Sequence, residues 1–257
     1  MILNRENMVK SVSRALDIIR LISIKKGGLG VTEIANQMDI NKSSVYRILS
    51  TLVQYGYVEQ DKGTERYKLG FQFLEISSRL LESIDLRTEA KPFLQELEKE
   101  TNEVIHLVVY DQGEVVYIEK LDGNEALRMH SKVGKRAPMH CTSVGKAILA
   151  HLPSAYVKEI IERKGLPIHT ENTITDKNIF LKELSDVRKK GFALDLQENE
   201  YGITCIAVPI FDHLSKVAAA VSISGPTMRM TEARLEELKP RMIDIGKQIS
   251  SRLGYVN

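Results

Sequence analysis

Residues 31–70 change from helical to strand-like periodicity in an order that strongly limits the fold. Residues 31–40 have the apolar spacing of a short helix, and residues 41–56 have that of a second helix with a polar first turn. Residues 57–70 alternate apolar and polar side chains on either side of a turn that contains Gly63. Helix, tight turn, helix and hairpin in this order indicate a winged helix-turn-helix, whose second helix fits a DNA major groove.

The second helix of this motif carries side chains suited to a nucleic acid. Asn41 is positioned to cap it, and its predicted inner face is Val45, Ile48, Leu49, Leu52 and Val53. We predict that Lys42, Ser43 and Ser44 contact phosphates at the start of the helix and that Arg47 contacts a guanine. The other predicted DNA contacts are Tyr46, Ser50, Lys62 and Arg66. For any single residue, an ordinary solvated surface position is the alternative.

Charge and composition agree with a DNA-binding N-terminal part. Residues 1–70 hold 11 Lys and Arg against 7 Asp and Glu, a net charge of +4. The whole chain has 36 Lys and Arg and 34 Asp and Glu, so the remainder holds 25 and 27 of them, a net charge of −2. Such an asymmetry is expected where only one part meets phosphate. No apolar run approaches the roughly 18 residues of a membrane span, and no signal peptide is recognisable. The two cysteines match no disulfide framework or zinc spacing, so we predict a cytoplasmic protein with no membrane partner.

The spacing of apolar residues along the chain changes twice after residue 70. Residues 71–90 predict a linker helix with an apolar stripe, which either forms a seam between two copies or packs on its own domain. From Glu103 onwards, strand-like segments, including one at residues 126–134, alternate with helical ones. A sheet with helices on its faces is an α+β architecture. The predicted domains are residues 1–70, a linker at 71–90, and residues 91–257.

Two local features of the C-terminal part predict a small-ligand site. Ser143 and Val144 lie where a loop enters a helix, and the N–H groups at such a helix end favour a carboxylate. Ser222 and Ser224 are two residues apart on a predicted strand and therefore share a face. Buried hydroxyls need partners, which a polar ligand, the backbone or the two hydroxyls themselves can supply. Cys205, on another strand, is either a ligand contact or a small buried hydrophobe.

The chain resembles the isocitrate lyase regulator (IclR) family of bacterial transcription factors. The resemblance is carried by SVSRALDIIRLIS, KSSVYRILSTLVQYGYVEQD and RYKLG in the N-terminal part and by GKA, GITCIAVPIFD and SISGP later, and it extends from about Lys10 to Leu253. It implies a GAF-like effector-binding domain and a homodimer or dimer of dimers. The effector-binding residues that it implies are Met129, Ser143, Val144, Asp195, Cys205, Ser222 and Ser224. Ser143-Val144 departs from the small glycine or alanine residues common in that loop.

These features together predict a transcriptional repressor whose binding to a double-stranded DNA operator is controlled by a small carboxylate. The alternative is an enzyme with an attached DNA-binding domain. His140 and Cys141 are adjacent, but neighbours on a strand point to opposite faces and no orienting group is near. We therefore predict no catalytic residues. The histidines show no metal-ligand spacing, so neither a metal nor a cofactor is predicted.

Overall fold

The computed structural model describes residues 8–123 and 131–256. The chain divides into two compact units, Met1–Ser83 and Ile84–Asn257. The predicted linker helix at 71–90 is interrupted at this division, because one helix ends at Ser83 and another begins at Leu86. Asp85 starts the new helix by accepting the backbone N–H of Thr88 at 2.7 Å, as an N-cap residue does.

The N-terminal unit is a winged helix-turn-helix, as predicted. Its elements are α1 (Lys10–Ile24), α2 (Val31–Met38), α3 (Lys42–Gln54), β1 (Val58–Gln60), β2 (Tyr67–Leu69) and α4 (Gln72–Ser83). Its core contains Ile18, Ile22, Leu29, Ile34, Ala35, Val45, Leu49, Val58 and Tyr67. Val53 was predicted to be buried and is 39% exposed, because the apolar face of α3 meets the core only through its first three turns.

The two strands of the wing form an antiparallel hairpin, with Val58 opposite Leu69. Leu29 adds a bridge to this hairpin by exchanging two backbone hydrogen bonds with Tyr67, at 2.9 and 2.8 Å. Gly28 makes this approach possible, because its φ is +73° and a Cβ there would lie 2.4 Å from the Tyr67 carbonyl oxygen. The hairpin is therefore fixed against the segment that joins α1 to α2.

The C-terminal unit is built on one antiparallel sheet in the order β5-β4-β3-β8-β7-β6. Its elements are α5 (Leu86–Thr101), β3 (Val104–Asp111), β4 (Glu114–Leu121), β5 (Arg136–Pro138), α6 (Ser143–Leu149), α7 (Ser154–Lys164), α8 (Lys177–Lys190), β6 (Ala193–Leu196), β7 (Ile203–Phe211), β8 (Val217–Pro226) and α9 (Glu232–Arg252). The strand predicted at 126–134 falls partly outside the described residues, and residues 131–134 are irregular. The strand that follows β4 is the shorter β5.

The sheet has an apolar core on each face. Helices α5 and α9 cover one face, and α6, α7 and α8 cover the other. Strands β3, β7 and β8 lie in the middle and are buried on both sides over most of their length, as their continuous runs of apolar residues require. Among the helices of residues 8–123 and 131–256, none combines the length and hydrophobicity that crossing a bilayer needs.

Candidate functional site

Helix α3 turns a polar face away from the core of the N-terminal unit. Asn41 Oδ1 accepts the backbone N–H of Ser44 at 2.9 Å, which confirms the predicted cap, and also accepts the Ser43 hydroxyl at 3.1 Å. Lys42, Ser43, Tyr46, Arg47 and Ser50 are exposed, and Ser44 is half-buried. Within the described part of the chain, the side chains of Lys42 and Arg47 have no hydrogen-bond or ion-pair partner. Two positive charges on this face are therefore available to an anionic partner.

The two cations predicted on the wing have different surroundings. Lys62 is exposed in the hairpin turn, which Asp61 shapes by accepting the backbone N–H of Thr64 at 2.8 Å. The guanidinium of Arg66 instead donates to the carbonyl of Gly28 at 3.0 Å and lies 2.8 Å from a carboxylate oxygen of Glu33. Arg66 therefore anchors the wing, and a DNA phosphate would have to compete with these partners.

Six of the seven predicted effector-binding residues line one cavity of about 180 Å³ in the C-terminal unit. These are Ser143, Val144, Asp195, Cys205, Ser222 and Ser224. Met129, the seventh, lies outside the described residues. A larger and more open depression of about 600 Å³ lies elsewhere in this unit and is lined by none of the six. The structure thus brings together residues from β6, β7, β8 and the start of α6.

His106 is a pocket residue that sequence reasoning missed. It lies on β3 directly opposite Ser222, and its Nδ1 is 3.3 Å from Ser224 Oγ and 3.5 Å from Ser222 Oγ. Its Nε2 is 2.8 Å from Ser131 Oγ. Burial lowers the pKa of His106 to about 3, so the imidazole is neutral at physiological pH. The pairing of β3 with β8 creates this cluster, and no local sequence pattern predicts which residues of the two strands lie opposite each other.

Asp195 is the carboxyl group of the pocket. It is 3% exposed, and its Oδ1 accepts the backbone N–H groups of Glu198 at 2.7 Å and Asn199 at 3.4 Å. Burial raises the pKa of Asp195 to about 7, although the Glu198 N–H opposes this shift. Cys205 is its register partner on β7, and burial raises the pKa of that thiol. Lys135, Arg136 and Glu200 also line the cavity, and the Arg136 guanidinium is paired with Asp111 and lies 3.6 Å from Glu114 Oε2. The site therefore combines neutral hydroxyls, a titratable acid and charged groups of both signs.

The predicted N–H site at the start of α6 is partly occupied by the protein itself. Thr142 Oγ1 accepts the N–H of Gly145 at 3.2 Å and donates to the carbonyl of Pro138 at 2.6 Å. Helix α6 has only seven residues, all of them buried. A Cβ on Gly145 would lie 2.3 Å from the Met139 carbonyl oxygen, so the helix packs directly on the preceding segment. This end of α6 therefore has fewer N–H groups free for a ligand carboxylate than the sequence predicts.

His140 and Cys141 do not lie on a strand, so the prediction that they point to opposite faces of one is wrong. Strand β5 ends at Pro138, and residues 139–142 bend into α6. One ligand atom from each of His140, Cys141 and His169 lies within 4.8 Å of the others. Sequence spacing missed this cluster because His169 follows Cys141 by 28 residues and reaches it through a separate loop.

Comparison with known proteins matches both units to one family. Residues 11–62 match the family model described as the IclR helix-turn-helix domain, and residues 78–251 match that of the bacterial transcriptional regulator IclR C-terminal.

The chain belongs to the IclR family of bacterial transcriptional regulators.

Relatives of known class span nearly the whole chain. The transcriptional regulator KdgR of Escherichia coli K12 is 38% identical over 96% of this chain and 94% of its own length. The transcriptional regulator XynR of the same organism is 36% identical over 96% of this chain and 98% of its own length. The solved Thermotoga maritima IclR is 35% identical, covers 96% of this chain and 99% of its own, and has a TM-score of 0.65. The solved structure of the Agobacterium tumefaciens repressor BlcR is 21% identical, covers 96% of this chain and 98% of its own, and has a TM-score of 0.83. At this identity it supports the fold alone.

Membership of the IclR family confirms the predicted class of protein and the predicted fold. The chain is a DNA-binding transcriptional regulator with a winged helix-turn-helix and an α+β C-terminal domain. The enzyme alternative is excluded, because the relatives are transcriptional regulators along almost their entire lengths.

The pKa of Asp195 predicts a pH-dependent stability for this IclR-family chain. The folded state holds the proton up to about pH 7, whereas the unfolded carboxyl releases it near pH 4, so Asp195 destabilises the fold progressively as pH rises through that window. We expect Asp195→Asn to be more stable than the wild type at pH 8, by at most about 4 kcal/mol, and nearly equal to it at pH 4. Denaturant unfolding followed by circular dichroism at both pH values measures this difference.

The exposed Asp17 provides the matched control, since Asp17→Asn makes the same chemical change in solvent. His106 titrates in an overlapping window with the opposite sign, but it is present in both proteins and cancels in the comparison. A stability difference that is the same at pH 4 and pH 8 would show that folding does not raise the pKa of Asp195.

Proposed function

We propose that this regulator acts in the cytoplasm as a repressor, binds its operator as a dimer or dimer of dimers, and is released by a small carboxylate. The observation that carries the proposal is the convergence of six predicted residues on one small cavity in a unit distinct from the one that presents α3. Relatives of this chain include the transcriptional repressor IclR of Escherichia coli K12, at 32% identity over 96% of this chain and 90% of its own length.

The proposed operator contacts follow from the exposed face of α3. Arg47 reads a guanine edge, while Lys42 and Ser43 hold phosphates where the helix begins. The other proposed contacts are Ser44, Tyr46, Ser50 and the wing residue Lys62. Arg66 is proposed to place the wing, because its guanidinium is already engaged by Gly28 and Glu33.

An uncovered apolar surface on the N-terminal unit supports pairing of two chains. Leu74 and Leu80 on α4 are 65% and 59% exposed, and Val12 and Leu16 on α1 are 54% and 55% exposed. Phe73, on another side of α4, contacts Tyr57 edge to face at 5.2 Å and so attaches the helix to its own unit. Exposed apolar side chains on α1 and α4 are typical of helices that take part in a protein interface. We propose that they form the seam between two winged helices.

The chemistry of the cavity supports a carboxylate that also carries hydrogen-bonding groups. Lys135 lines the cavity and carries a positive charge, whereas the Arg136 guanidinium is already paired with Asp111. Ser222 and Ser224 offer hydroxyls that contact His106. Asp195 can retain its proton near neutral pH and so avoid repelling an anionic ligand. A ligand that binds one arrangement of the paired chains better than another shifts the population between them and changes operator affinity.

The double variant Ser222→Ala with Ser224→Ala tests the effector site. A thermal-shift screen of the wild type against small carboxylates first identifies a ligand, since binding to the folded state adds about 2.7 kcal/mol at a hundredfold excess over Kd. We expect the double variant to bind operator DNA, measured by fluorescence anisotropy, with wild-type affinity while losing the ligand-induced release. This result is expected because both serines line the cavity and neither lies in the DNA-binding unit.

The control for this pair is Ser251→Ala, which removes an exposed hydroxyl from α9 of the same unit. It should keep both DNA binding and the ligand response. If the double variant responds to the ligand with its normal midpoint, the effector binds elsewhere in the molecule.

A further inference from the structure

The cluster of His140, Cys141 and His169 is separate from the residues that line the effector cavity. His140 and Cys141 are 6% and 0% exposed, and His169 lies at the surface. We infer that these three side chains bind one zinc ion. The inference goes beyond the proposed effector response and does not depend on it.

The donor set has the chemistry that zinc selects. One thiolate and two imidazoles are borderline-soft ligands, and Zn²⁺ binds such sets tetrahedrally with bonds of about 2.0–2.3 Å. Ligands around one such ion are separated by roughly 3.5 Å. The three ligand atoms now lie within 4.8 Å of one another, so binding requires them to move closer, and His169 is the exposed member of the three. Three protein ligands leave a fourth position for water, and the thiol proton passes to solvent when the metal binds.

The surroundings of the cluster orient two of the three ligands. His140 Nε2 lies 2.9 Å from the carbonyl of Pro167, to which it donates, so Nδ1 keeps the lone pair that a metal needs. Cys141 Sγ is 3.6 Å from the side-chain oxygen of Asn199. Rotation of that amide presents its NH₂ group instead, which can donate to a metal-bound thiolate. A backbone carbonyl behind a histidine and an amide beside a thiolate are typical outer partners of zinc sites.

A metal at this point would join two segments that frame the effector cavity. Cys141 directly precedes Thr142, the cap of α6, while His169 precedes Thr170, whose hydroxyl donates to the carbonyl of Gln197 at 2.6 Å. Residues 138–142 and 195–200 both contribute to the cavity wall. Zinc would therefore fix the position of the wall without occupying the cavity itself.

Cobalt(II) titration of the untagged, reduced, full-length chain, freed of metal by chelator dialysis, tests the site. We expect one equivalent of Co²⁺ to produce the near-ultraviolet charge-transfer band of a cobalt–thiolate bond, and one equivalent of Zn²⁺ to displace it. Cys141→Ser should remove the band. Cys205→Ser, which replaces the other cysteine of the chain, should keep it.

His169→Ala is the second variant, chosen because its exposed side chain can be removed with the fold intact. We expect it to weaken zinc affinity by more than about tenfold, the loss caused even by removing an outer partner of a ligand. His213→Ala removes another exposed histidine and should leave the affinity unchanged. The variant Ser222→Ala with Ser224→Ala should also bind cobalt normally, which separates a failure of this proposal from a failure of the effector site.

Absence of the band in the wild type would overturn the proposal. Equal zinc affinity for His169→Ala and the wild type would do the same, since it would identify an adventitious ion on other surface groups.

Discussion

Replacing Lys146 by methionine is expected to lower the free energy of unfolding of the C-terminal unit by about 3–5 kcal/mol. The Lys146 side chain is 1% exposed, and its ammonium pairs with the 8% exposed side chain of Glu198. A second carboxylate, from Glu183, lies 3.4 Å away. Burial raises the pKa of Glu198, and Lys146 opposes that rise, so the variant would leave a buried acid without its counter-charge. Denaturant unfolding at pH 7, followed by circular dichroism, measures the loss.

Two further variants test whether the buried pair causes this loss. Lys146→Met combined with Glu198→Gln removes both charges and should recover part of the stability, because the uncompensated carboxylate is gone. Lys182→Met makes the same change at an exposed position of α8 and should cost less than about 0.5 kcal/mol. A loss of only that size for Lys146→Met would mean that water reaches the Glu198 carboxylate once the ammonium is removed.

Arg47→Ala is expected to abolish sequence-specific operator binding while the fold stays intact. A bidentate contact to guanine discriminates by about 1–3 kcal/mol, and a dimer makes the contact in each of two half-sites. Arg47 is exposed and its side chain has no partner among residues 8–123 and 131–256, so its removal should not change the unfolding midpoint. Fluorescence anisotropy with operator and scrambled duplexes at one fixed salt concentration gives the specificity ratio, which should approach one.

Lys42→Ala is the matched control on the same helix. As a proposed phosphate contact it should weaken binding to both duplexes about equally and lower the salt dependence by about one ion per chain. Arg66→Ala should instead destabilise the N-terminal unit, because its bonds to Gly28 and Glu33 hold the wing. If Arg47→Ala retains the wild-type preference for operator DNA, Arg47 does not read a base.

The N-terminal unit could be predicted from sequence because its determinants are local. The apolar spacing of α3, the Asn41 cap and the hairpin turn are each set within a few residues, and the structure has all three. The exceptions depend on tertiary contacts. Val53 follows the helical period but lies beyond the core, and Arg66 looks like a DNA contact until its partners Gly28 and Glu33 are known.

The cavity proposed to bind the effector was predictable only in part from the residues themselves. The two-residue spacing places Ser222 and Ser224 on one face, and the predicted start of a helix indicated Ser143 and Val144. The resemblance to the IclR family added Met129 to the prediction. His106 could not be found, because the β3–β8 pairing joins positions more than 110 residues apart. The cluster of His140, Cys141 and His169 was missed for a related reason, since the bend after β5 and a separate loop create it.

The central pairing of β3 with β8 also has a consequence for synthesis of the chain. The wing is complete at Leu69, whereas β8, which carries Ser222 and Ser224 to His106, begins about 150 residues later. At about 5–20 residues per second, translation needs roughly 8–30 s to cover that distance. We therefore expect a nascent chain to acquire its DNA-binding fold well before its ligand cavity, so that newly made molecules recognise DNA before they can respond to a metabolite.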